Sequence, residues 1–217
     1  MIDTLALLRR IYGDQIDRHY DLYDLSNAHR EQHGDQCTVH PSSPASGPLW
    51  PFLTAMVQAR RFLEVGCGLG YTAALMAEAG GPKCRVDTIE AVEEHADLAE
   101  ADFDRRGLAP RIRVLRAQAR EILPGLTEPY EIIFVDAYWA EYPALLPHLT
   151  RLTRPGGVLV TANLFPLFEE WAQQMEHKEA VEEYLTQLVR DRRFRTFIQP
   201  ESRALSYRLP TTSAADA

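Results

Sequence analysis

Arg61-Phe62-Leu63-Glu64-Val65-Gly66-Cys67-Gly68-Leu69-Gly70-Tyr71-Thr72 decides the fold. An apolar run gives way to alternating glycines and then to an Ala- and Leu-rich segment from Thr72 onward, the order of strand, tight turn and helix. Without side chains at Gly66, Gly68 and Gly70 the chain can turn sharply and bring its N–H groups close to a ligand. The helix that follows aims its N-terminus at the same place. The spacing then narrows the ligand. A dinucleotide fingerprint puts its third glycine where this chain has Tyr71, so the pattern is G-x-G-x-G and a dinucleotide is disfavoured.

The next apolar run, Arg85-Val86-Asp87-Thr88-Ile89, ends in Glu90, about 20 positions after Gly70. An acid at the end of the second strand of a βαβ unit is placed to accept hydrogen bonds from a ribose diol. Glycine-rich turns and strand-terminal acids are each common in α/β proteins. Together and in this order they point to a nucleoside site.

Working outward, residues 1 to about 33 read as helical, with Leu5, Leu7, Leu8, Ile11 and Ile16 at near-helical spacing before a polar break at His33-Gly34-Asp35. Val39 to Pro48 holds three prolines and a glycine and is irregular. A helix over about 49–59 leads into the first strand, and one over about 92–106 follows Glu90, closed by Gly107. Strands are expected at about 112–115, 131–137 and 158–161, and a helix at 145–152, with Pro155-Gly156-Gly157 as a turn. Ile132-Ile133-Phe134-Val135 is apolar throughout, as a parallel strand covered on both faces should be. A long helix over roughly 168–189 precedes strands at 194–198 and 204–209, whose short link requires antiparallel pairing. The expected architecture is α/β: a Rossmann-like, doubly wound, mostly parallel sheet with a C-terminal antiparallel hairpin. Residues 1–217 are taken as one domain, with 1–60 as a helical segment and lid within it.

Composition sets the setting. A chain of 217 residues, 46% hydrophobic and 25% charged, suits one domain with a full core. The net charge of −8 argues against a broad polyanion-binding surface, so nucleic acid is not the first partner to consider. Local basic clusters at Arg111, Arg113, Arg116 and Arg120, and at Arg190, Arg192, Arg193 and Arg195, read as solvated faces. The three cysteines, Cys37, Cys67 and Cys84, show neither metal-ligand spacing nor a pairable framework, which fits a reducing compartment. Met1 to Arg10 lacks the order of a signal peptide, and no apolar run approaches the roughly 20 residues that span a bilayer. A cytoplasmic protein without a membrane partner is the expectation.

Alternating β/α units followed by a terminal hairpin resemble a class I methyltransferase sheet more than a dehydrogenase sheet. The chain resembles the catechol and caffeoyl-CoA type O-methyltransferases, family 3, from His40 onward. The residues that carry the likeness are Leu63-Glu64-Val65-Gly66 through Gly70-Tyr71-Thr72, Ile89-Glu90, Phe134-Val135-Asp136-Ala137, Gly156-Gly157-Val158 and Asn163. The resemblance implies an S-adenosylmethionine (SAM) cofactor over the glycine loop, contacting Glu64, Gly66, Cys67, Gly68, Tyr71 and Thr72, with Glu90 on the ribose hydroxyls. It also implies Ala119 at the adenine, Asp136 beside the cofactor, and Ser42 on a lid that closes over it. The implied reaction moves the methyl group to a hydroxyl of a small aromatic acceptor, and homodimers are the implied assembly.

The resemblance further implies a divalent cation, Mg²⁺, on Asp136 and an Asp-Asn pair after the next strand. Here that pair is Ala162-Asn163, so Asp136 and Asn163 remain as metal ligands and the third position is Ala162. The lysine that such proteins place three residues after the strand-end Asp is Trp139 here. The expectation is therefore a metal dependence that is weakened or lost. Proton removal from the acceptor falls to His40, Asp136, Tyr138, Glu141 or Tyr142, of which His40 has the most suitable intrinsic pKa. Trp139, Tyr138, Tyr142, Trp50 and Phe165 are candidates for an aromatic wall around a planar acceptor, or for ordinary packing. Two other readings keep the cofactor: methylation of a nitrogen or an RNA base, and SAM binding without turnover.

Overall fold

A computed structural model describes residues 3–16, 18–34, 37–164, 167, 178–200 and 203–211. The doubly apolar runs become the sheet. Strands β1 (Arg61–Val65), β2 (Arg85–Glu90), β3 (Ile112–Arg116), β4 (Tyr130–Val135), β5 (Thr153–Thr161), β6 (Phe194–Gln199) and β7 (Arg203–Arg208) align in the order β3-β2-β1-β4-β5-β7-β6. The first five are parallel, and β7 runs antiparallel between β5 and β6.

Alternate residues of the central strands enter two separate cores. Phe62, Ile132 and Phe134 face one, with Trp50, Met76 and Phe103, while Leu63, Val65, Ile133 and Val135 face the other, with Leu145, Leu149 and Tyr184. Helices α1 (Thr4–Tyr12), α2 (Tyr20–His33), α3 (Leu49–Val57), α4 (Tyr71–Gly80), α5 (Glu93–Arg105), α6 (Ala119–Ile122), α7 (Tyr142–Leu152) and α8 (Lys178–Arg190) supply the covering layers. Both faces are thereby covered, the condition under which a parallel sheet is stable.

Strand order reverses between β1 and β4. In an open α/β sheet the crevice beyond the strand C-termini at that reversal is where ligands sit. Here it is formed by the chain leaving β1 at Gly66 and the chain leaving β4 at Asp136, joined by Asp136 N–H donating to Val65 O at 2.9 Å. Gly66 and Cys67 N–H both donate to Ile89 O at 3.1 Å, which draws the loop back over β2.

The structure differs from the sequence reading in four places. The first 33 residues form two helices, because Gly13 takes φ +61° and a 3-10 turn follows it. Helix α7 starts at Tyr142 with Pro143 in its first turn, three residues earlier than expected. Helix α6 was not expected. The Pro155-Gly156-Gly157 stretch is part of β5: the register against β4 slips between Tyr130 and Ile132, and the strand carries the extra residues as an irregularity. The antiparallel hairpin, the glycine turn and the helix ends at Gly34 and Gly107 lie where the sequence put them, although the cap of α5 is Arg106, one residue before Gly107. Of the long helix expected over 168–189, residues 168–177 lie outside the described residues.

Candidate active site

A cavity of about 680 Å³ occupies the crevice. Its floor is the glycine loop, whose backbone geometry only glycine permits at one point. Gly66 has φ +97°, and a Cβ there would stand 2.1 Å from Asp136 O. The loop can therefore pass against the β4 end, leaving open space above it. Helix α4 begins at Tyr71, directly after Gly70, so its N-terminal N–H groups open toward the same loop.

Glu90, at the tip of β2, is buried. Its Oε2 accepts from Gly68 N–H at 2.8 Å and its Oε1 from Val92 N–H at 3.0 Å. A carboxylate offers about four lone-pair positions, so two remain for hydroxyl donors. Glu64, in β1, is also buried and is held by Thr88 Oγ1 at 2.5 Å. Burial pushes its pKa well above the ordinary carboxylate value, and the nearby Asp136 and Glu90 push the same way. Cys67 is buried with its thiol pushed up, first by burial and then by Glu64, so it contributes shape and backbone.

Asp136 stands on the opposite wall. Burial raises its pKa from 3.8 to about 7, although Asn163 Nδ2 donates to its Oδ1 and works in the other direction. Asn163 itself has φ +57°, a left-handed conformation that asparagine tolerates better than most residues. Position 162 offers its carbonyl oxygen to the Tyr142 hydroxyl at 3.3 Å. One carboxylate and one amide make a poor donor set for a hard cation that prefers several oxygen ligands. The nearby Glu141 carboxylate lies at ion-pair distance, 3.8 Å, from Arg120. The residues present do not suit Mg²⁺.

The other expected site residues distribute as follows. Ser42, Gly66, Cys67, Gly68, Tyr71, Thr72, Glu90, Ala119, Asp136, Tyr138, Trp139, Glu141, Asn163 and His40 all line the cavity. His40 is at its exposed rim, with a pKa held below the ordinary imidazole value by partial desolvation and then by Arg30. Tyr138 is 59% exposed. Glu64 lies behind the lining. Tyr142 and Trp50 are core residues: Tyr142 packs on Tyr184 and has its phenol pushed well above the ordinary value by burial, and Trp50 meets Phe134 edge-on at 5.1 Å. Of the aromatic wall, Tyr138 and Trp139 therefore reach the cavity, and Phe165 lies outside the described residues.

Several lining residues had no sequence signal, among them Ser26, Cys37, His95 and Gln118. His95 Nδ1 lies 3.7 Å from Glu90 Oε1. An offset of five residues from a strand-end acid carries no pattern that would single it out.

The basic cluster on β3 and α6 is neutralised by the chain's own acids. Arg113 pairs with Asp87, Arg116 with Glu93, Asp97 and Glu100, and Arg111 with Glu78. Among the described residues no helix is long and apolar enough to cross a membrane.

Comparison with known proteins agrees with this geometry. Catechol O-methyltransferases of Niastella koreensis and Mycobacterium tuberculosis are each 34% identical, over 126 and 123 residues. Each match takes in 56% of this chain, and the chain spans only 57% and 56% of those relatives' lengths. The O-methyltransferase TomG of Streptomyces achromogenes, solved in complex with SAM, superposes with a TM-score of 0.74 at 25% identity, covering 87% of this chain and 89% of that one. The Bacillus cereus O-methyltransferase in complex with SAH shares the fold at 21% identity and a TM-score of 0.74, covering 90% and 91%. A family model described as O-methyltransferase matches residues 15–201, most of the chain, and the chain belongs to that family.

Proposed function

We propose that this chain is a SAM-dependent methyltransferase acting on a hydroxyl of a small aromatic acceptor, with Asp136 as the proton acceptor and no need of a divalent metal. The observation that carries this reading is Asp136 itself. It is a carboxyl with a pKa raised to about 7, set in the wall of a cavity whose floor is a glycine cradle.

The cradle fits SAM: space above Gly66 and Gly68, the α4 N-terminus at one end and the Glu90 carboxylate with spare lone pairs at the other. Bound there, SAM would supply a methyl group carried on a sulfonium, positioned for in-line transfer. Gly66 and Tyr71 to Thr72 take the methionine end, Glu90 the ribose hydroxyls, and Ala119 the adenine edge. Glu64 offers a buried carboxyl to the cationic end. Tyr138 and Trp139 flank the acceptor ring. Asp136 takes the hydroxyl proton: a phenol with a pKa near ~10 is matched far better by a base near 7 than by an ordinary aspartate. Tyr142 is a poor base because its phenol is buried and already donates to Ala162 O.

The same reading takes residues 1–217 as one methyltransferase domain of the cytoplasm, with 1–60 as its helical segment and Ser42 on the lid. A homodimer through α1 is supported by that helix, which buries none of its residues and leaves Leu7, Ile11 and Tyr12 exposed. Light scattering on the purified protein tests it.

The experiment for the activity is methyl transfer from SAM to a catechol and phenol panel with a chelator present, across pH. Turnover that survives chelation, rises through about pH 7 and disappears in Asp136→Asn is expected. Turnover abolished by the chelator and restored by Mg²⁺ refutes the metal-free mechanism. SAM binding with no transfer to any acceptor refutes the enzymatic reading.

A further inference from the structure

Helix α2 lies beside α5, and Arg106 holds the two together. Its guanidinium reaches Asp21 Oδ2 of α2 at 2.6 Å and His19 Nδ1 at 3.2 Å, and pairs with the buried Asp102 of α5. On this braced joint three side chains from separate parts of the sequence converge. His29 of α2, Cys37 just beyond that helix, and His95 in α5 bring one ligand atom each to within 4.8 Å of one another. His29 meets the His95 ring edge-on at 5.3 Å and stacks on His33 at 4.2 Å.

We propose that His29, Cys37 and His95 bind one zinc-type divalent ion, with solvent in the fourth position. A thiol and two imidazoles are the donor set of a borderline-soft ion with tetrahedral preference, bound at about 2.0–2.3 Å, and they do not suit Mg²⁺ or Ca²⁺. His29 and Cys37 are only half-buried, so their side chains can rotate the short distance that closes the triangle around an ion. His95 is buried and its Nδ1 faces Glu90 Oε1 at 3.7 Å, so the metal would be taken by its other ring nitrogen. A carboxylate behind the imidazole is the arrangement that orients metal-bound histidines. Of the three free cysteines, Cys37 alone is not buried. On binding, the S–H bond breaks, the S–metal bond forms and the proton passes to solvent.

The placement gives the ion a task. Cys37 begins the stretch through Ser42 that walls the cavity, and His95 sits against Glu90. An ion shared by them staples that stretch onto α5 beside the ribose-binding carboxylate. The ion is a structural clasp, and its existence does not depend on the chain transferring methyl groups.

The test is cobalt(II) titration of the reduced, tag-free protein, followed by competition with Zn²⁺ and by calorimetry with Zn²⁺ alone. A thiolate-to-cobalt charge-transfer band that saturates at one ion per chain and is displaced by Zn²⁺ is expected. The band should vanish in Cys37→Ser, and Zn²⁺ affinity should fall at least about tenfold in His29→Gln. His29 is only half-buried, so that variant is read out on folded protein, verified by circular dichroism, even if Cys37→Ser folds poorly. No charge-transfer band, a band that persists in Cys37→Ser, or an unchanged Zn²⁺ affinity in His29→Gln overturns the proposal.

Discussion

Replacing Asp136 with asparagine should abolish turnover and yet stabilise the protein at alkaline pH. The carboxyl holds its proton up to about 7 in the folded chain against an ordinary value of 3.8. That difference corresponds to about 4 kcal/mol between the two protonation states. One side of the carboxyl faces the cavity, so solvent screening reduces the usable figure to about 2–3 kcal/mol. The sign follows from linkage. Between the two values the folded state binds the proton and the unfolded state does not, so the contribution is fully present below about pH 4. It is lost as pH rises through about 7 and stays lost above it. Asparagine has no proton to lose and can keep its oxygen accepting from Asn163. Urea unfolding of both proteins should therefore give similar stabilities near pH 4, with the variant ahead by about 2–3 kcal/mol near pH 8. Other titrating groups cancel in the difference. A stability difference that stays constant from about pH 4 to about pH 8 would falsify the idea that Asp136 is desolvated, and with it the case for Asp136 as a tuned base.

Gly66→Ala forces a Cβ to 2.1 Å from Asp136 O at φ +97°, and urea unfolding should show a loss of about 2–4 kcal/mol. Gly68→Ala meets only Val39 Cγ1 at 3.7 Å and should lose about 1 kcal/mol, so equal losses would refute the close-approach argument. Glu90→Gln should weaken SAM affinity by about tenfold, or 1.4 kcal/mol, because an amide nitrogen cannot accept from a ribose hydroxyl; calorimetry giving unchanged affinity would remove Glu90 from the site. SAM binding should release protons as its cationic end ionises Glu64, more than its demethylated product does. Titrations in two buffers of different ionisation heat measure this, and proton uptake would contradict it. Arg106→Ala leaves the buried Asp102 to Arg105 alone and should cost about 1.5–3 kcal/mol in urea unfolding, with faster amide exchange in α2; unchanged exchange would show that the helix is held by other contacts.

What the sequence disclosed, and what it concealed, follows from how each part is encoded. The strands Phe62 to Val65 and Ile132 to Val135 were legible because a strand buried on both faces is apolar nearly throughout, with Glu64 as the polar residue among them. Gly34 and Gly107 marked helix ends because they take positive φ. Helix α6 was not legible: four residues span barely one turn and show no period. Pro155-Gly156-Gly157 has turn composition, and only the slip against β4 lets those residues continue the strand. The break at Gly13 was hidden because the apolar spacing continues through it to Ile16, which is buried although α1 buries nothing.

The proposed cofactor and acceptor halves of the cavity differ in the same way. Cradle residues are contiguous and act through the backbone, so glycine identity and the offset of Glu90 reveal them before any fold is known. Acceptor-side residues come from positions 40, 136 to 141 and 163, and their chemistry is set by burial, which residue type does not report. Histidine is the obvious neutral-pH base on intrinsic pKa alone, yet His40 sits exposed at the rim with its pKa lowered, while Asp136 is carried up to about 7 by the wall around it. Neither Ala162 nor Trp139 carries a positive charge that would hold that carboxyl ionised. Burial alone raises the proton affinity of Asp136, with the Asn163 amide working against it, and that is why we propose an aspartate at this place as the base.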